Sequence, residues 1–161
     1  MADDLVPPHR ENNVITWKSR DLLGRIGMVF QEPSYQFVTS TVAEELALGP
    51  KLAGLTDVDL RVTQMLDRMQ LTHLAQAHPL SLSGGEKRRL SVATALICAP
   101  KILILDEPTF GQDRNTWAAL VQILREVVED GTTVITISHD GPFVATVGQE
   151  TLVVQPPVAA A

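Results

Sequence analysis

LSLSGGEKRRLSVATALICAPKILILDEPTFGQD, residues Leu80 to Asp113, is the stretch whose reading decides the fold. It joins a small-residue turn, a helix, an apolar strand and a pair of acids without a break. Ser83 is an N-cap candidate, and Gly84-Gly85 leave the backbone open to close approach. The unpaired amides and positive pole of a helix start attract anions, phosphate among them. Leu90, Ala93 and Ile97 keep helical spacing on one face. Lys87, Arg88 and Arg89 crowd the first turns, where cations oppose the helix dipole. An anion bound there would relieve the conflict; an ordinary cap with a solvated basic face is the alternative.

Ile102 to Leu105 is an unbroken apolar run, the pattern of a strand covered on both faces of a parallel sheet. It ends abruptly in Asp106-Glu107-Pro108. Ligands of open α/β sheets bind beyond the carboxyl ends of the strands. An Asp at such an end can hold Mg²⁺ directly or through water, and a neighbouring Glu can polarise an attacking water. A solvent-exposed acidic turn is the plainer alternative.

At this spacing, Leu82-Ser83-Gly84-Gly85-Glu86 followed by Ile102 to Glu107 resembles the signature motif and Walker B strand of ATP-binding cassette (ABC) ATPases. Glu86 stands where the family's LSGGQ carries Gln. The resemblance implies an α/β fold: a P-loop NTPase-like, mostly parallel sheet with a helical subdomain. It also implies ATP and Mg²⁺ as cofactors. In that family two ATPase subunits meet head to tail, so that each nucleotide lies between the Walker A of one and the signature of the other. Ser83, Gly84, Gly85 and Glu86 would then contact a partner's nucleotide. Asp106 would serve the metal and Glu107 the hydrolytic chemistry.

The same resemblance assigns roles on either side of this stretch. Ile26 to Phe30 is a strand candidate that proline ends at Gln31-Glu32-Pro33. This matches the family's Q-loop, whose glutamine, here Gln31, reaches the metal and the attacking water and faces the membrane subunit. Phe110 to Asp113 occupies the D-loop position that couples the two sites, with Gln112 where a hydrophobic residue is usual. Asp113 is also an N-cap candidate for the following helix, about Arg114 to Asp130, on which Trp117, Leu120, Val121, Leu124 and Val128 keep helical spacing. Thr132 to Ile137 reads as a buried strand. Strand, helix, strand in this order makes a βαβ unit, so both strand ends fall on one edge of the sheet. His139 is thereby placed near Asp106 and Glu107, in the position of the family's switch histidine, which contacts the terminal phosphate.

Thr41-Val42-Ala43-Glu44 has the form of a capping box and opens a short helix to Leu48, with Gly49-Pro50 as its break. A second helix spans about Asp57 to Gln70, with Val62, Met65, Leu66 and Met69 on one face. These helices match the helical subdomain, about residues 40–82. His73 and His78 lack a third ligand nearby, which argues against a metal site there. Residues 1–13 read as a disordered lead-in, 14–155 as a partial ABC nucleotide-binding domain and 156–161 as a tail. Val14 to Trp17 and Gln149 to Gln155 are further short strand candidates.

The 161 residues carry a formal net charge of −6, which argues against nonspecific nucleic-acid binding. Cys98 is the single cysteine, so no intramolecular disulfide framework exists. No apolar run approaches the length of a membrane span. The resemblance implies a cytoplasmic place, peripheral on the inner face of the cell membrane, bound to a transmembrane transporter subunit and a second ABC ATPase subunit.

The phosphate-wrapping motif G-x-x-x-x-G-K-[ST] is absent from these residues. Gly49 to Thr56 comes nearest, but Leu55 stands where the lysine belongs. The expectation is therefore a domain truncated at its N-terminus and inactive alone. Gln36-Phe37-Val38 and Thr41 to Glu45 resemble steps typical of energy-coupling-factor ATPases, the cobalt, nickel and vitamin importers. The implied function is the ATP-binding and ATP-hydrolysing subunit of such an importer. The alternatives are a non-catalytic partner lending its signature motif to a full-length ATPase, and a soluble ABC ATPase of DNA repair or translation.

Overall fold

The computed structural model describes residues 17–154. The elements run α1 (Ser19–Leu22), β1 (Ile26–Val29), α2 (Val42–Leu52), α3 (Val58–Arg68), α4 (Gly84–Leu96), β2 (Ile102–Asp106), α5 (Arg114–Glu129), β3 (Thr133–Ile137) and α6 (Gly141–Val147). The three strands form one parallel sheet in the order β1-β2-β3. The fold is thus α/β, built on a parallel sheet. Val14 to Thr16, the lead-in and the tail lie outside the described residues, and Trp17 is not in a strand.

Helices α4 and α5 pack on one face of the sheet. Val29, Leu103 and Leu105 point to that side and are fully buried, joined by Leu90, Ala93 and Ile97 of the α4 segment and by Leu120, Val121, Ile123, Leu124 and Val127 of α5. At Gly27 the layers nearly touch: an added Cβ would meet the Ala95 carbonyl oxygen at 2.7 Å. The opposite face differs from the sequence expectation. Ile102 and Ile104 are only half-buried, and Met28, Ile135 and Ile137 are exposed among the described residues. An apolar strand reports a preference for burial; whether a layer covers each face is a tertiary fact.

Four local expectations are corrected. Gly49-Pro50 does not break α2, which continues to Leu52 with Pro50 inside it. Proline forfeits one helical hydrogen bond, but Pro50 is fully buried, so packing outweighs the local penalty. Gly49 instead permits close approach, since its Cβ would lie 3.2 Å from Cys98 Sγ. Residues 149–154 form no strand; Leu152, Val153 and Val154 are exposed and pair with no neighbouring strand. On α5 the apolar face runs through Val127, while Val128 lies outside it. Finally, the basic run of α4 is not a solvated face, because Arg88 is 2% exposed. Met65 and Met69 do pack into the core.

Candidate functional site

In-register pairing brings the three strand ends to one edge. Val29 lies opposite Leu105, and Asp106 opposite Ile137. Phe30-Gln31, Asp106-Glu107 and Ser138-His139-Asp140 therefore leave the sheet side by side. Asp106 is half-buried and alternates with Leu105 onto the less covered face, beside Ile104. Gln31 is exposed.

Glu107 leaves β2 with φ at 44°, a left-handed conformation uncommon outside glycine. Its N–H donates to the Ile137 carbonyl at 2.9 Å, which anchors the turn to β3. Its carboxylate reaches His139, with Oε1 2.8 Å from Nδ1, and Ser138 Oγ donates to Oε2 at 3.5 Å. The Glu107 side chain is 19% exposed and that of His139 is 77% exposed, so an acid on the wall of the fold faces an imidazole in solvent. The hydrogen bond to Glu107 raises the His139 pKa above its ordinary 6.5; the charges of Glu107 and, less, Asp140 act in the same direction. Such a pair can hold a proton at Nδ1 while Nε2 faces outward.

Asp140 belongs to the support of this edge, and sequence reasoning passed over it. Its carboxylate accepts from the Phe143 N–H at 3.1 Å and from Trp117 Nε1 at 3.1 Å. The Phe143 amide is the largest cause of its lowered pKa, with Thr109 and Trp117 contributing after it. Asp-Gly-Pro at 140–142 is a legible helix start, since Asp caps and Pro suits the first turn. The link to Trp117 joins residues of two different elements and leaves no local trace.

The signature candidate sits at the start of α4. Ser83 and Glu86 form a capping box: Ser83 Oγ accepts from the Glu86 N–H at 3.4 Å, and Glu86 Oε2 accepts from the Ser83 N–H at 2.8 Å. Ser83 Oγ also donates to Glu86 Oε2 at 2.7 Å. These bonds hold the Glu86 carboxyl below its usual range. Gly84 is exposed, and a Cβ there would meet nothing within 4 Å. Gly85 is different: its Cβ would lie 2.8 Å from Thr116 Oγ1. Thr116 in turn donates to Asp113 Oδ2 at 2.8 Å, and Asp113 caps α5 through the Asn115 and Thr116 amides. The Thr116 hydroxyl and these amides lower the Asp113 pKa.

Two groupings result. Glu107, His139 and Asp106 share the sheet edge, while Ser83 to Glu86 adjoin the helix that Asp113 caps. Among the described residues no hydrogen bond joins the two groups. His78 caps its own turn by accepting from the Leu80 N–H at 3.2 Å. A cleft of about 250 Å³ beside Arg68, Lys101 and Thr132 lies at the opposite ends of the strands, away from these groups.

The sequence profile of the ABC transporter family matches residues 8–110. The chain belongs to that family. Its relatives include the putative HMP/thiamine import ATP-binding protein YkoD of Bacillus subtilis, 44% identical over 137 residues, which covers 85% of this chain and 25% of the relative. An energy-coupling factor transporter ATP-binding protein, EcfA of Methanothermobacter thermautotrophicus, is 40% identical over 118 residues, 72% of this chain and 38% of the relative. Among solved structures, cbiO1 of Clostridium perfringens, part of the ABC transporter complex cbiONQ, superposes with a TM-score of 0.66 at 34% identity, covering 73% of this chain and 48% of that one. A dimeric ATP-binding cassette bound to ADP and Pi superposes with a TM-score of 0.70 at 27% identity, covering 80% and 58%. The fold is that of ABC ATPase domains. The chain spans between a quarter and two fifths of the length of the curated relatives described here.

Among the described residues no helix is long and apolar enough to cross a membrane.

Proposed function

We propose that this chain is an ATP-binding subunit of an energy-coupling-factor-type ABC importer that takes up a vitamin or a metal ion. Residues 14–155 form part of its nucleotide-binding domain, with 40–82 as the helical subdomain. The observation that carries this reading is the contact of Glu107 with His139 beside Asp106, at the carboxyl edge of a parallel sheet. The names of the YkoD and EcfA relatives support the importer type. The subunit docks on a transmembrane transporter subunit at the cytoplasmic face of the membrane and pairs head to tail with a second ABC ATPase. No nucleic acid is a partner.

The site divides into two halves. Ser83, Gly84, Gly85 and Glu86 present the α4 start to a nucleotide held by the partner, with Asp113 beside them at the dimer contact. Glu107 orients water and, through His139, fixes the proton arrangement facing the terminal phosphate. Mg²⁺ keeps most of its waters and takes one or two carboxylates alongside phosphate oxygens. Asp106 offers one such carboxylate and Gln31 an amide oxygen, and the described residues contain no closed cage of three or more His, Cys, Asp or Glu. That donor set suits a hydrated ion shared with phosphate, and Asp106 and Gln31 would hold it. Bound there, it would neutralise phosphate charge.

Without G-x-x-x-x-G-K-[ST], most of the electrostatic stabilisation of a transferring phosphoryl group is missing from these residues. The purified 161-residue chain is therefore expected to release phosphate from ATP only at background rate. Substantial turnover lost in Glu107→Gln would refute this. Mixed with a full-length energy-coupling-factor ATPase and MgATP, the chain should form a nucleotide-dependent complex on sedimentation. Gly84→Asp places a carboxylate in open space and should abolish the complex without unfolding the chain. Equal association with and without MgATP would sink the composite-site reading.

A further inference from the structure

Arg88 is chemically out of place in α4. Its side chain is buried, yet among the described residues no carboxylate bonds to it, and Glu32 acts on it only as a nearby charge. Nη1 donates to the Phe30 carbonyl at 2.8 Å and Nη2 to the Gln31 carbonyl at 2.6 Å. Nε has no partner among the described residues. A buried guanidinium is costly to desolvate, so its retention asks for a return other than packing. The return visible here is its grip on the chain at the end of β1.

Ser91, nearly one turn further along α4, is fully buried and donates to Gln36 Oε1. Gln36 in turn plays the part of a missing strand. Its Nε2 donates to the Met28 carbonyl at 3.0 Å and its Oε1 accepts from the Phe30 N–H at 3.3 Å. β1 is an edge strand of the described sheet, and this carboxamide satisfies two ladder groups on its open side. Residues 28–31 are thus held by two α4 side chains, Arg88 directly and Ser91 through Gln36. The same helix carries Ser83 to Glu86 at its start, within about two turns of both contacts.

We propose that Arg88 and Ser91 are positioning residues that make α4 a rigid link between the Ser83–Glu86 end and the backbone of Gln31. Displacement of the helix start then moves Gln31 directly, because one unbroken helix bears both contacts. Lysine does not substitute for Arg88, since a single ammonium lacks the planar fork that meets two carbonyls at once. The clamp stands on geometry alone; the role of Gln31 rests on the function proposed above.

Hydrogen exchange of the 161-residue chain, read by mass spectrometry, tests the clamp. In Arg88→Met, amides in 30–36 should exchange about tenfold faster while 102–106 and 133–137 stay within about twofold of wild type. Arg88→Lys should fall between, and Ser91→Ala should accelerate the same segment. Unchanged protection of 30–36, or acceleration spread evenly over the chain, would make Arg88 a packing residue and overturn the proposal. Should Arg88→Met fail to fold, the lysine and Ser91→Ala variants carry the same comparison.

A second arm adds a full-length energy-coupling-factor ATPase with MgATP. Wild type should then show slower exchange in 30–36, and Arg88→Lys should lose at least about half of that response while binding the partner within about twofold. Association without any response in wild type overturns the link. Absence of association, with the clamp result intact, counts against the composite site and leaves the clamp standing.

Discussion

Glu107 and His139 meet across the ends of two neighbouring parallel strands, Oε1 to Nδ1 at 2.8 Å, with the Glu107 amide bonded to Ile137 on the same strand that delivers the histidine. The acid is therefore braced by the element that carries its partner. Because this bond raises the His139 pKa, the imidazolium is favoured in the folded chain. Its contribution to stability is fully present below the unfolded value, about 6.5, and is lost as pH rises through the raised folded value. A proton NMR titration of His139 should show a midpoint above 6.5, and Glu107→Gln should move it down toward that value. A midpoint indifferent to the substitution would remove the pair from the site.

Gly85 tests the contact between the α4 start and α5. Alanine there meets Thr116 at Oγ1 and Cγ2 together, 2.8 and 3.2 Å away, so rotation of the threonine exchanges one clash for the other. Gly85→Ala should cost about 1–3 kcal/mol by urea denaturation. Adding Thr116→Ala should recover part of that loss, despite removing the bond to Asp113. No recovery in the double variant would show that the strain lies elsewhere.

Gly27 measures how closely the helical layer approaches the sheet. Its added methyl would press on the Ala95 carbonyl, a backbone atom that cannot rotate away. Gly27→Ala should destabilise by about 3 kcal/mol. A midpoint shift equivalent to less than about 0.5 kcal/mol would mean that β1 and α4 separate freely.

Glu86→Gln separates capping from charge. A glutamine oxygen can still accept from the Ser83 amide, so thermal stability near neutral pH should change by less than about 1 kcal/mol. The carboxylate's depressed pKa means that its stabilisation is present above the unfolded value and fades as pH falls through the folded one. The variant should therefore lose this acid-side dependence. If Glu86 meets a partner's nucleotide as proposed, the variant should also bind a MgATP-loaded partner several-fold more tightly, since like charge would no longer face phosphate. Weaker binding would assign the carboxylate an attractive role instead.

The parts of this chain written in local pattern were legible from sequence. Ser83 caps a helix because hydroxyl and glycines precede a helical apolar face, and the βαβ order alone puts His139 near Glu107. Pro50 misled because a local penalty was outweighed by burial at a site chosen by the tertiary fold. Arg88 was hidden among like charges: Lys87 and Arg89 are half-buried while the residue between them enters the core. Nothing in the order Lys-Arg-Arg tells which cation faces the end of β1, 57 or 58 residues earlier. The half-covered second face of the sheet also escaped notice, since Ile135 and Ile137 look alike whether or not a layer lies over them.

The left-handed backbone at residue 107 sets folding and chemistry against each other. At a φ of 44°, a residue with a Cβ is held at a cost of about 1–2 kcal/mol that glycine does not bear. A library of variants at this position, ranked for resistance to heat, should favour glycine and asparagine and reject valine and isoleucine. Ranked for hydrolysis in an assembled composite site, it should return glutamate alone. The position would then be inherited for its carboxylate in spite of its shape, and its two rankings would run in opposite order.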